Sequence, residues 1–133
     1  MQINSYLNFN GECEAAFKLY EKVLGGKIEM MMTFAGSPME KDVPAGWGNK
    51  IVHARMAVGN NVLMGSDGAS NHYTKPGGFA VNINVDSPAE AERIYKALSE
   101  KGTVHMPLGQ TFWAKRFAMF ADQYGIPWMI NCE

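Results

Sequence analysis

Residues 116–132 read RFAMFADQYGIPWMINC, and the fold is decided by how this stretch is read. Two apolar runs, 117–121 and 126–130, flank the polar link Asp122-Gln123-Tyr124-Gly125. Asp at the start of such a link can bond its own backbone, and Gly at its end reaches φ > 0, so the link predicts a tight reversal between two strands. Pro127 removes one backbone donor at the start of the second run, and Trp128 gives its body a large ring to bury. A lone hairpin is not stable in water. It must complete a sheet supplied by the rest of the chain.

The remaining residues supply that sheet. Residues 3–9 alternate, with Ile3, Ser5, Leu7 and Phe9 on one side and Asn4, Tyr6 and Asn8 on the other. After Asn10-Gly11, residues 12–24 carry Ala16, Phe17, Leu19, Tyr20, Val23 and Leu24 at helical spacing, with Gly25-Gly26 as the stop. Strands are predicted over 27–34, 51–58 and 62–66, with a Pro- and Gly-rich loop over 35–49 and a hairpin turn at 59–61. The pattern then repeats. A strand over 79–86 is followed by a helix with Ser87 as cap, Pro88 at its first position and Glu90 three residues after the cap. Gly102 is expected to end that helix, and strands follow at 103–106, 112–120 and 126–132.

Each half therefore reads strand, helix, strand, strand, strand, an internal duplication of roughly 55–65 residues. The expected architecture is α+β: two tandem βαβββ modules forming a cup-shaped, mostly antiparallel sheet with helices on its outer face. We expect one domain over 1–133, with module one at 1–66, a polar linker at 67–78 and module two at 79–133.

Composition narrows the function classes. With 47% hydrophobic and 19% charged residues the chain is globular. A net charge of -1 offers no basic field, so neither nucleic acid nor a membrane surface is an expected partner. No apolar run suggests export or a spanning helix, and Cys13 and Cys132 are too few for a disulfide framework, so the expected compartment is the cytoplasm. Ten methionines are many for this length. The flexible thioether fills irregular gaps, so the excess reads first as core filling and second as an adaptable pocket.

The stretches 6–26 (YLNFNGECEAAFKLYEKVLGG), 49–67 (NKIVHARMAVGNNVLMGSD) and 106–133, together with the duplication, resemble the vicinal-oxygen-chelate (glyoxalase/bleomycin-resistance/dioxygenase) superfamily, and within it the PhnB-like branch. Members of that branch often carry a methyltransferase label. Nothing here resembles a nucleotide-binding Gly-rich strand–helix turn, and no cofactor is expected. The resemblance implies a divalent metal held by His and Glu from the first and fourth strands of each half. Matched by motif, those places fall at Asn4 (or Ser5 with a one-residue shift), Met64, Ala80 and Met129, none of them His or carboxylate. We therefore expect no metal at the family site.

Alternation assigns the inner face. Ala80, Asn82 and Asn84 oppose Val81, Ile83 and Val85; His53 and Arg55 oppose Ala54 and Met56; Met129 and Asn131 oppose Trp128 and Ile130. The expected ligand contacts are Tyr6, Arg55, Met64, Asn82, Asn84, Trp113 and Met129, with His53 as the candidate acid or base and Arg55 as anchor for an anion. The expected function is binding of a small anionic or aromatic metabolite, with or without metal-free turnover. Two alternatives stay open. A drug-sequestering resistance-type protein would need an acidic lining, for which Glu29, Glu40, Asp42 and Asp67 are the candidates. A metal-dependent lyase or dioxygenase would require the strand registers to be misread. Open sheet edges in a nearly neutral chain, and the habit of the family it resembles, predict a homodimer.

Overall fold

The computed structural model describes residues 1–68 and 72–133. Its order is β1 (Ser5–Phe9), α1 (Cys13–Leu24), β2 (Lys27–Thr33), β3 (Ile51–Val58), β4 (Asn61–Asp67), β5 (Val81–Asn84), α2 (Pro88–Ser99), β6 (Thr103–Gly109), β7 (Arg116–Ala121) and β8 (Pro127–Cys132). A short 3-10 turn, Glu40–Asp42, sits in the long loop after β2. Two four-stranded sheets result, ordered β1-β4-β3-β2 and β5-β8-β7-β6. In each, the first and last strands of the module pair in parallel and the other neighbours are antiparallel. The two βαβββ modules expected from the duplication are present. By contact density the chain falls into two units, Met1–Thr74 and Lys75–Glu133.

In the first unit α1 lies against β2, β3 and β4. Its buried residues Cys13, Ala16, Phe17, Tyr20 and Val23 share the unit's core with Leu7, Phe9, Ala54, Met56 and Leu63 from the sheet, Phe17 edge-on to Phe9. Gly65 is what allows the helix this close, because a Cβ there would strike the Phe17 ring and the Leu7 carbonyl. Asp67 is 3% exposed at the end of β4 and accepts from the backbone N–H of Gly11, Cys13 and Ile51 at 2.9, 2.9 and 2.8 Å. One carboxylate thus ties the entry to α1 to the start of β3.

In the second unit α2 lies against β6, β7 and β8, burying Ala91, Ile94 and Leu98. Ser87 caps it as its pattern predicts, accepting from the Glu90 N–H at 3.2 Å. The Asp122–Gly125 link behaves as read. Asp122 Oδ1 accepts from the N–H of Tyr124 and Ile126 at 2.8 and 3.0 Å, and Gly125 takes φ 86°. Asp122 Oδ2 accepts from Trp128 Nε1 at 2.9 Å, so the buried ring is pinned as well as packed.

Several boundaries differ from the sequence reading. The seventh strand starts at Arg116, not 112, because the Thr111 hydroxyl accepts from the N–H of Trp113 and Ala114 and satisfies that backbone locally. β6 runs past Met106 to Gly109; it is an edge strand, where Pro107 can lack an N–H without costing an inner ladder bond. β5 is shorter than 79–86, and β1 begins at Ser5, two residues after Ile3. β4 takes in Asp67, the first residue assigned to the linker; residues 69–71 of that linker lie outside the described residues. The left-handed residue after α2 is Lys101 (φ 61°), not Gly102. Gly102 is required for room instead, since a Cβ there would collide with the Ala121 carbonyl and the Asp122 backbone.

Candidate functional site

Each sheet carries its helix on one face, and alternation sends the intervening side chains to the other. In the first unit, Tyr6 pairs with Met64, Met64 with Arg55, and Arg55 with Met30, a continuous row across all four strands. Two residues along, His53 pairs with Met32. Tyr6, Met30 and Met32 are more than two-fifths exposed, an unusual density of large apolar side chains on an uncovered surface. The Tyr6 and His53 rings stack at 5.8 Å between centroids and 25° between planes, with Tyr6 Oη 3.2 Å from His53 Nδ1. When Tyr6 donates, the neutral imidazole carries its proton on Nε2, leaving a donor for a bound molecule.

Arg55 is not a free anchor. Its Nε donates to Glu29 Oε1 at 3.1 Å, with both side chains about two-fifths exposed. Glu29 reaches it because the β2–β3 ladder skips from Ile28 to Met30, leaving Glu29 in a bulge that re-aims its side chain. The guanidinium keeps its two terminal amino groups for a ligand, but any anion there competes with a carboxylate already in place.

In the second unit the corresponding row is Asn82, Met129, Met119 and Met106. Asn84 pairs with Asn131. Asn84 Oδ1 accepts from Asn82 Nδ2 at 3.1 Å and from Asn131 Nδ2 at 3.5 Å, a small amide ladder. Asn131 Oδ1 is buried with no hydrogen-bond partner among the described residues. Trp113 lies in the irregular segment before β7, nearly half exposed, its ring edge-on to Phe117 at 5.1 Å and Phe112 at 4.7 Å.

The first unit therefore brings together Tyr6, His53, Arg55 and Met64, and the second brings together Asn82, Asn84 and Met129. The sequence reading did not mark Met30, Met32, Met106 and Met119; assigning faces to β2 and β6 finds the first three once the bulges are known, and alternation along β7 finds Met119. Neither cysteine offers a nucleophile. Both are buried, and burial, with the charges of Asp67 and Glu14 adding, pushes the Cys13 thiol far up.

The donor set does not suit a divalent metal at the family place. Met64 faces Tyr6 and Met129 faces Asn82, while Asn4 and Ala80 stand just ahead of their strands. Thioether is a poor ligand for hard or borderline ions, and a neutral phenol and amide beside it supply neither imidazole nor negative charge. Among the described residues no three His, Cys, Asp or Glu side chains gather closely enough to hold one.

Comparison with known proteins agrees with this architecture. The profile of the Glyoxalase/Bleomycin resistance protein/Dioxygenase superfamily matches residues 2–130. Protein YjdN of Escherichia coli (strain K12) is 28% identical over 139 residues, covering 98% of this chain and 95% of YjdN. The crystal structure of PA1353 from Pseudomonas aeruginosa superposes with a TM-score of 0.91 at 50% identity, covering 100% of this chain and 98% of that one. A PhnB protein from Bacillus cereus, described as a putative 3-demethylubiquinone-9 3-methyltransferase, superposes with a TM-score of 0.85 at 21% identity over the full length of both chains.

Proposed function

The chain belongs to the glyoxalase/bleomycin resistance protein/dioxygenase superfamily, and on that footing we propose that it binds a small molecule on the helix-free faces of its sheets. The observation that carries this reading is the stacked, hydrogen-bonded Tyr6–His53 pair among exposed methionines. An uncovered aromatic surface with a few convergent polar groups is what a ligand site needs and a solvated face avoids. The ligand that fits is a flat ring with a polar edge, stacking on Tyr6 against the polarisable sulfurs of Met30, Met32 and Met64. Arg55 contributes its terminal amino groups. In the second unit Asn82, Asn84, Met129 and Trp113 are assigned to ligand contact. If turnover occurs, His53 is the group to move the proton.

The methyltransferase description of the Bacillus cereus protein does not transfer, since a likeness at that identity concerns the fold. Nor is drug sequestration favoured. Glu29 is engaged by Arg55, Asp67 is buried on backbone donors, and Glu40 accepts from the Gly36 N–H, so little acidic lining is left for a cationic drug.

Thermal melting against aromatic acids, phosphonates and thiol adducts tests the reading; a ligand at about a hundred times its Kd adds roughly 2.7 kcal/mol to stability. Tyr6→Ala and His53→Ala should remove the shift given by an aromatic member of the panel without lowering the unliganded Tm. A shift that survives both substitutions refutes the assignment. The same protein should be a homodimer, because each sheet has two edge strands, β1 and β2 or β5 and β6. Light scattering should give twice the 14.7 kDa chain mass, and a monomer at micromolar concentration speaks against it.

A further inference from the structure

The second unit contains a feature that the Tyr6–His53 face does not explain: an open cavity of about 770 Å³, lined entirely by residues of that unit. That volume lies within the roughly 300–1,000 Å³ of small-molecule sites. Its apolar part is formed by Phe79, Met119 and Met129 beside the buried Trp128, and its basic part by Lys75, Lys101 and His105. Neither lysine has an ion pair among the described residues. The single acid on the lining, Asp122, is buried, with both carboxylate oxygens engaged by N–H donors. The cavity therefore carries net positive charge with no carboxylate turned to meet it.

Two irregularities put His105 and Lys101 there. His105 is the residue skipped in the β6–β7 ladder between Val104 and Met106, so a bulge re-aims its side chain. Lys101 holds φ 61°, a left-handed conformation strained for a side-chain-bearing residue and adopted freely by glycine. The chain places a lysine at the strained position and a glycine beside it. An outlier kept where glycine would serve points to use of the side chain. Gly77 and Gly78 add no side chains to the lining, and a Cβ at either would meet nothing within 4 Å.

We propose that this cavity binds a small organic anion, its carboxylate or phosphoryl-type group held by Lys75, Lys101 and His105 and its apolar body lying on Phe79, Met119 and Met129. The site shares Met129 with the face assigned above but none of Tyr6, His53 or Arg55, so the two readings fail separately.

Calorimetric titration of the full chain at low salt with butylphosphonate, which has no ring to stack on Tyr6, tests it, with inorganic phosphate and butanol as the two halves of the probe. Butylphosphonate should bind saturably, more tightly than either half, and more weakly as sodium chloride is added. Lys75→Ala and Lys101→Gly should each weaken it about tenfold or more, as expected for loss of a charged hydrogen-bonding partner. Lys101→Gly relieves the backbone as it removes the charge, so the fold is retained and the melting temperature verifies it. Tyr6→Ala and His53→Ala should leave the affinity unchanged. Absence of saturable binding into the millimolar range overturns the proposal, as do equal affinity for inorganic phosphate, unaltered binding by the two lysine variants, or loss of binding in the Tyr6 and His53 variants.

Discussion

Replacing Asp67 by alanine should cost this protein a large part of its stability, and the structure gives the size of the loss. The carboxylate is 3% exposed and accepts three backbone N–H bonds of 2.8 to 2.9 Å. Those to Cys13 and Ile51 are buried, whereas the Gly11 N–H is only partly so and can turn to water. Each buried donor left without an acceptor costs about 1–3 kcal/mol. Loss of the negative charge at the start of α1 adds about 0.3–1 kcal/mol. Asp67→Ala should therefore destabilise by about 2–7 kcal/mol, against the roughly 5–15 kcal/mol that holds a domain of this kind. Asp67→Asn keeps the volume but turns an NH₂ toward a backbone donor, and should still cost about 2 kcal/mol. The assay is urea unfolding at pH 7, followed by tryptophan fluorescence and circular dichroism, with midpoints compared at a common slope. A loss below about 1 kcal/mol for Asp67→Ala would show that the carboxylate is not the tie between α1 and β3.

Three further outcomes are expected. The Cys13 thiol is held protonated in the fold, chiefly by burial, while in the unfolded chain it ionises near its ordinary value of about 8.5. Its contribution is therefore complete below that pH and falls by up to about 1.4 kcal/mol per unit above it; Tm measured from pH 7 to 10 should drop less in Cys13→Ala than in the parent, and parallel curves would refute this. Gly102→Ala should prevent folding or cost more than about 3 kcal/mol through collision with the Ala121 carbonyl, whereas Lys101→Gly should be neutral or stabilising by up to about 1 kcal/mol, both read from urea midpoints. Elemental analysis of the purified protein should find no stoichiometric zinc, nickel, manganese or iron, and a chelator should leave Tm unchanged, because Met64, Met129, Tyr6 and Asn82 make a poor donor set.

What could be read in advance was whatever local chemistry sets. Asp122 and Gly125 dictate their turn whatever surrounds them, and Ser87, Pro88 and Glu90 mark the start of α2 within four residues. Alternation correctly put Trp128 and Ile130 in the core and His53 with Arg55 on the other face. What depends on the ladder was hidden. A strict period of two cannot announce the bulges at Glu29 and His105, so the partner that engages Arg55, 26 residues away, had no local signal. The same holds for Lys101. A sequence with Lys-Gly at a helix end invites glycine as the left-handed residue, and only the nearness of the Ala121 carbonyl shows why Gly102 serves another purpose.

The two sheets skip their ladders at matching places: Glu29 between Ile28 and Met30, and His105 between Val104 and Met106. The row Tyr6, Met64, Arg55, Met30 therefore maps position by position onto Asn82, Met129, Met119, Met106. The halves differ in side chains along this row while sharing its register and the skip beside it. The molecule thus carries its own control. Arg55 and Met119 are homologous sites on equivalent backbones, as are Tyr6 and Asn82, so transplanting a residue from one half to the other asks what that side chain contributes with the strand geometry held constant. Few single chains allow a specificity residue to be separated from its scaffold in this way.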